Sequence, residues 1–112
     1  MNCLFCRIVA GEVPATVVHE GPRTLAFLDL NPQAPTHVLV IPKDHHATAA
    51  ELAEADPAYA GEVLAAAAAV ARQEGLDSGY RLIANTGDDA GQTVHHLHVH
   101  VLGGRVLDWP PG

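Results

Sequence analysis

His96-Leu97-His98-Val99-His100-Val101-Leu102 is the stretch on which the reading of this chain turns. Three histidines alternate with apolar residues. In a strand, successive side chains point to opposite faces. A period of two therefore puts the three imidazoles on one face and Leu97, Val99 and Val101 on the other, toward a core. Packing alone rarely asks for such a row. Imidazole is the side chain best able to act as nucleophile, proton shuttle and metal ligand near neutral pH. The stretch thus predicts a strand with an apolar side and a chemical site on its other side.

Working outward, residues 80–85 read as a second strand, joined to the histidine strand by a turn-rich link over 86–92. Alternation and β-branched or aromatic residues predict strands over 16–19, 24–30 and 37–41. Gly21-Pro22 makes the first turn, a Pro-rich loop covers 31–35, and Pro42 ends the third strand. Asn2 is expected to cap a short helix over 3–10, stopped by Gly11. Asp56-Pro57 is an N-cap followed by proline at the first helical position. The long helix it opens runs to about Glu74, where Gly75 ends it. Its apolar positions Tyr59, Val63, Leu64, Ala67, Val70 and Ala71 fall on one side at helical spacing, which reads as core packing. Many strands and two helices predict an antiparallel sheet with a helix packed on it, an α+β fold.

The chain has 112 residues, which suits one domain. No run is long enough to span a membrane, and no basic segment followed by an apolar run marks a signal peptide, so the cytoplasm is the expected location. A formal charge of −7 disfavours a nucleic-acid groove, which needs a basic surface. It leaves room for a small anion held by backbone amides and a few imidazoles.

The longer stretch Gly91-Gln92-Thr93-Val94-His95-His96-Leu97-His98-Val99-His100-Val101-Leu102-Gly103-Gly104-Arg105 resembles the histidine-triad (HIT) family of nucleotide hydrolases and transferases. The Gly-Gly-Arg and the closing Trp109-Pro110-Pro111-Gly112 look like its HINT branch, the purine nucleoside phosphoramidases. Leu25-Ala26-Phe27-Leu28-Asp29-Leu30-Asn31-Pro32-Gln33-Ala34-Pro35-Thr36-His37 and Leu39-Val40-Ile41-Pro42-Lys43 match the same branch. The resemblance covers nearly the whole chain, as a single HIT domain over residues 1–112. It implies a five-stranded α+β sheet with one long and one short helix. It also implies a homodimer whose sheets join into ten strands.

The resemblance places the nucleophile at His98, attacking the α-phosphorus of a nucleoside phosphoramidate, with its Nδ1–H on the main-chain carbonyl of His96. His37 would orient the histidine array, His100 would bind phosphate oxygen, and Asn85, Gln92 and Thr93 would contact the phosphate region. Gly91 lets the Gly-Gln-Thr backbone approach an oxyanion closely. Asp29 looks like the acceptor for a ribose 2′,3′-diol, with Leu30 lining the sugar, although an Asp before Asn-Pro also suits a turn. Phe5, Ile8, Val13 and Phe27 match the family's base pocket; by residue type alone they are core. The tail with Trp109 would approach the partner subunit's site.

Cys3-Leu4-Phe5-Cys6 is a C-x-x-C with no further cysteine in the chain. Members of the family that keep such a pair bind zinc through it and two histidines. The matching set here is Cys3, Cys6, His45 and His96, a closed Cys₂His₂ combination typical of structural zinc. His19 and His46 read as exposed, and His95 as a core histidine facing away from the row. Two other functions fit the residues. One is a zinc metallohydrolase using the histidine row with His37. The other is a nucleotide-binding interaction protein with slow turnover.

Overall fold

Thr36–Pro42, all buried but for its first residue, is strand β3 and lies in the middle of the sheet. The structure, a computed structural model, describes residues 3–112. Around β3 run α1 (Leu4–Val9), β1 (Val17–Glu20), β2 (Thr24–Leu28), α2 (Ala49–Ala55), α3 (Pro57–Gln73), β4 (Tyr80–Ile83) and β5 (Val99–Gly103). The five strands pair antiparallel in the order β1-β2-β3-β5-β4. Val38 faces Val101 and Leu39 faces His100 across the central pair. No helix among the described residues is long and apolar enough to cross a membrane.

Each face of the sheet carries its own apolar cluster. On one, Ala26, Val38, Val40, Leu97, Val99 and Val101 pack against Val63, Ala66, Ala67 and Val70 of α3 and Leu52 of α2. The alanines let α3 lie close to the strands. On the other, Leu25, Phe27, Leu39 and Ile41 meet Cys3 and Phe5 at the start of α1. Period two in the strands thus sorts the odd residues His37, Leu39 and Ile41 of β3 to the α1 side and Val38 and Val40 to the α3 side.

Helix α3 begins as its sequence predicts. The Asp56 carboxylate accepts from the Tyr59 amide at 3.1 Å, and Pro57 takes the first helical position. Gly75, with φ +70°, ends it in the left-handed region. Arg23 ties the β1–β2 turn to this helix, with its guanidinium 3.8 Å over the Tyr59 ring and paired to Glu62 and Asp56.

Several expectations are revised. Helix α2 was not expected; the Thr48 hydroxyl accepts from the Glu51 amide at 3.1 Å and starts it. Asn2 lies outside the described residues, and the N-cap of α1 is Cys3, whose Sγ accepts from the Cys6 amide. The histidine strand starts only at Val99, because residues 94–96 bend toward α1. Alternation therefore fails at His95, which is exposed instead of core. His46 is half-buried, edge-on to Tyr59 with ring centroids 5.8 Å apart. His19 is also half-buried.

Candidate active site and metal centre

The α1 side of the sheet collects seven imidazole and thiol groups around two centres. In the first, Cys3, Cys6, His45 and His96 offer donor atoms that all lie within 4.8 Å of one another. The His96 Nδ1 is 3.5 Å from Cys3 Sγ and 3.6 Å from Cys6 Sγ, and His45 Nδ1 is 3.4 Å from Cys6 Sγ. A tetrahedral ion with metal–sulfur bonds of about 2.3 Å and metal–nitrogen bonds of about 2.0–2.1 Å separates S from N by about 3.5 Å. The donors are therefore spaced for such an ion. His96 is fully buried, and its Nε2–H donates to the Pro42 carbonyl at 2.8 Å. That bond leaves the lone pair on Nδ1, toward the thiols, the outer-sphere arrangement that orients a metal-ligating histidine. The four residues fit a metal ion, and helix α1 and its N-cap carry two of them.

The second centre is made by His37, His98 and His100. Main-chain partners fix what each ring offers, since an amide only donates and a carbonyl only accepts. The Gln33 amide donates to His37 Nδ1 at 3.0 Å, so the neutral His37 ring carries its proton on Nε2. That Nε2–H donates to His100 Nδ1 at 2.9 Å, which leaves the His100 proton on Nε2 as a donor. His98 donates from Nδ1 to the His96 carbonyl at 2.8 Å, so its Nε2 holds a lone pair. The three rings present one nucleophilic nitrogen beside one N–H donor, with the His98 and His100 centroids 5.0 Å apart.

Burial favours the neutral form of His37 and His100. His100 is pushed down to about 4, first by desolvation and then by His98 and His37. Desolvation also lowers His37, against the pull of Asp29. Asp29, His37 and His100 lie close enough to suggest a second metal set. The tautomers argue otherwise: His37 Nε2 is already a donor, fixed so by the Gln33 amide, and has no lone pair for an ion. The histidine row is also divided, with His96 turned to the cysteines and His100 to His37.

Beside the second centre lies an apolar cleft of about 200 Å³. Phe5, Ile8, Val13, Phe27, Asp29 and Leu30, all expected from the sequence, line it. Leu4, Pro14, Ala15, Leu28 and Leu39 join them, and nothing in their residue types had marked them for a site. Phe5 links cleft and nucleophile, edge-on to Phe27 at 5.5 Å and to His98 at 5.1 Å. The volume is below the ~300–1,000 Å³ of a whole drug-sized site and suits one planar ring system. Asp29 serves in two ways. Its Oδ1 accepts from the Asn31 amide at 2.8 Å, a turn bond, and its Oδ2 is 3.4 Å from His37 Nε2.

The loop before the histidines is braced from within. Gln92 is buried; its Oε1 accepts from the Gly87 amide at 3.0 Å, and its Nε2 donates to the Ala47 and Val94 carbonyls. Its own amide donates to the Gly87 carbonyl at 3.1 Å. The Gln92 side chain thus braces the loop that the sequence places at the phosphate region, with its amide hydrogen atoms on main-chain carbonyls. Gly91, at φ +84°, makes the turn, and Thr93 stands exposed beside it. Asn85, half-buried, lies two residues beyond Ile83, the β4 partner of His100. Trp109 is 82% exposed. Arg81 holds the preceding residue, donating to the Asp108 carbonyl at 2.8 Å.

A family model of the HIT domain matches residues 10–107. The chain is 51% identical to a HIT family hydrolase from Legionella pneumophila Philadelphia 1, whose crystal structure superposes with a TM-score of 0.94 over 99% of this chain and 100% of that one. A histidine triad nucleotide-binding protein from Candida albicans is 32% identical, with a TM-score of 0.84 over 97% of this chain and 83% of the other. A 14 kDa zinc-binding protein of Zea mays is 49% identical over 97% of this chain and 87% of its own length.

Proposed function

The chain belongs to the HIT domain family, and from that premise we propose that it hydrolyses purine nucleoside phosphoramidates or related nucleotide conjugates through a nucleotidyl-histidine intermediate. The observation that carries this reading is the bond from His98 Nδ1 to the His96 carbonyl, which leaves a lone pair on Nε2 next to the His100 N–H donor. In the first step His98 Nε2 attacks the α-phosphorus. A P–N bond to the ring forms, the P–N bond to the substrate amine breaks, and the amine departs with a proton drawn from water, which the second step returns to solvent. In the second step water cleaves the nucleotidyl-histidine, releasing a nucleoside monophosphate such as AMP and restoring the lone pair. His100 Nε2–H, Thr93 and Asn85 serve the phosphate oxygens, where charge gathers in each transition state. The purine occupies the apolar cleft, and Asp29 Oδ2 takes the ribose diol. The Legionella hydrolase supports the hydrolytic reading and the Candida nucleotide-binding protein the class of ligand.

Zinc is the ion proposed for Cys3, Cys6, His45 and His96, supported by the donor spacing and by the zinc-binding relative from maize. A closed four-ligand site supplies a structural cross-link, not a reacting group. It holds α1, and with it Phe5, against the loop that carries His98. We also propose a homodimer. β4 is an edge strand with a row of unpaired backbone groups, and Tyr80 and Leu82 on it are exposed. Trp109, free of its own chain, would then reach the partner's site.

The test is hydrolysis of an adenosine 5′-phosphoramidate that releases a fluorogenic amine. Wild type is expected to turn over and His98→Ala to lose about 10³–10⁴-fold or more in kcat while melting within a few degrees of wild type. Equal activity in both proteins overturns the mechanism. Nucleotide binding without turnover in wild type would favour an interaction protein.

A further inference from the structure

The Gly103-Gly104-Arg105 motif is not used by the chemistry above, yet it is tightly built in. A Cβ on Gly103 would meet Leu76 at 2.8 Å. One on Gly104, at φ +91°, would meet Pro35 at 2.8 Å. The chain therefore leaves β5 pressed against the 31–35 loop, where only glycine fits. Arg105 follows at once. Its Nη2 donates to the Gln33 carbonyl at 3.0 Å and its Nη1 to the Val106 carbonyl at 2.9 Å. Gln33 is the residue whose amide donates to His37 Nδ1.

We propose that Arg105 is a positioning residue: by holding the Gln33 main chain it fixes the His37 tautomer, and so the proton donor that His100 offers the substrate. The chain of bonds is continuous. Arg105 Nη2–H donates to Gln33 O, Gln33 N–H to His37 Nδ1, and His37 Nε2–H to His100 Nδ1. Gln33 also closes on itself through Nε2 to the Asn31 carbonyl at 3.0 Å, and the Asn31 amide is held by Asp29. The loop is thus pinned at its start by Asp29 and beside its middle by Arg105. Release of the second pin frees the Gln33 amide to turn away. His37 can then carry its proton on Nδ1, Nε2 becomes an acceptor facing His100 Nδ1, and the His100 proton moves to Nδ1. The donor on His100 Nε2 is lost without any change in His98.

The catalytic consequence rests on the proposed hydrolase reading, whereas the tautomer does not, so the test separates them. Long-range proton–nitrogen NMR spectra of the histidine rings are recorded at one neutral pH for wild type, Arg105→Met and Arg105→Lys, with kcat and KM for the fluorogenic phosphoramidate alongside. In wild type His37 carries its proton on Nε2. In Arg105→Met a measurable Nδ1–H population appears and kcat falls about 10-fold to 100-fold, the usual weight of an outer-sphere orienting group, while KM stays within about threefold. Arg105→Lys, whose ammonium still reaches a carbonyl, recovers most of both. An Nδ1–H tautomer in wild type, or an unchanged His37 in Arg105→Met, overturns the proposal. A shifted tautomer in a chain that hydrolyses nothing upholds it and sinks the hydrolase reading. Arg105 is exposed, and melting curves of the three proteins are expected to coincide within a few degrees.

Discussion

On the α3 face of the sheet, Ala26, Val38, Val40, Leu97, Val99 and Val101 meet a helix of valines and alanines. On the α1 face, His37, His96, His98 and His100 share the surface with Cys3, Phe5 and Leu39. The first set is held by burial, which has no direction and tolerates exchange among residues of similar volume. In the second set most polar atoms have an assigned partner. Pro42 O orients His96, His96 O orients His98, and the Gln33 amide orients His37, which in turn orients His100. The same β-strands carry both sets, because alternation sends neighbouring residues to opposite sides. Damage on the α3 face should cost stability alone, while damage on the α1 face should cost stability and site geometry together.

Removal of the metal gives the largest effect expected of that contrast. The ion would join α1 to His45 and His96, and α1 supplies Phe5 and Ile8 to the cleft. Treating the zinc-loaded protein with a strong chelator is expected to lower Tm by about 10 °C or more and to weaken nucleoside monophosphate binding about tenfold. Calorimetry and an AMP titration read the two effects separately. A lower Tm with unchanged AMP affinity would show that the cleft does not depend on α1 being clipped, and the two faces would then be less different than their bonding suggests.

How much of this was legible in the sequence follows the same division. Strands and the long helix were readable, because periods of two and of 3.6 record burial, which is what the α3 face depends on. The metal quartet and the cleft followed from resemblance, since no periodicity joins Cys3 to His96 across 93 residues. Helix α2 escaped because Ala49–Ala55 contains one buried leucine and no apolar stripe. Its signal was a capping box instead, Thr48 followed three residues later by Glu51. The brace made by Gln92 was not legible, because a glutamine near a glycine turn suits a ligand contact as well as it suits a loop brace. Its burial and its three backbone partners reveal the brace. The part played by Arg105 was hidden for a related reason: its partner is a main-chain carbonyl, which leaves no mark in residue types.

Leu52 on α2 tests the other side of the contrast. It is fully buried in the α3-face cluster and is not a member of the α1-face cluster. Leu52→Ala is expected to cost about 2–5 kcal/mol of stability, from lost transfer energy and the cavity left behind. Measured well below its lowered Tm, kcat for the fluorogenic phosphoramidate should stay within about twofold of wild type. Urea unfolding gives the first number and initial rates the second. A kcat that falls tenfold in a fully folded variant would mean that packing on the α3 face also sets the histidine geometry, and the division between faces would fail.

The smallest effect is the dependence of stability on pH, and it comes from the α1 face. A histidine in the unfolded chain titrates near 6.5. In the folded protein His100 is held down to about 4 by desolvation, then by His98 and His37, and His37 is lowered in the same direction by its own burial. Between those values the unfolded chain binds a proton that the folded chain refuses. Stability is therefore complete above about pH 6.5 and declines as the pH falls toward 4. For His100 alone the loss is of order 2–3 kcal/mol across the window. His100→Asn keeps an acceptor for the His37 Nε2–H and removes the titration, so its Tm, measured with zinc at saturation, should fall less than that of wild type between pH 7.5 and pH 5. Parallel curves for the two proteins would place the acid sensitivity elsewhere. The metal ligands would be the first place to look, since each must shed a proton to bind the ion. In that event the fragility of the α1 face would belong to its metal centre, and the burial of His37 and His100 would cost the fold little.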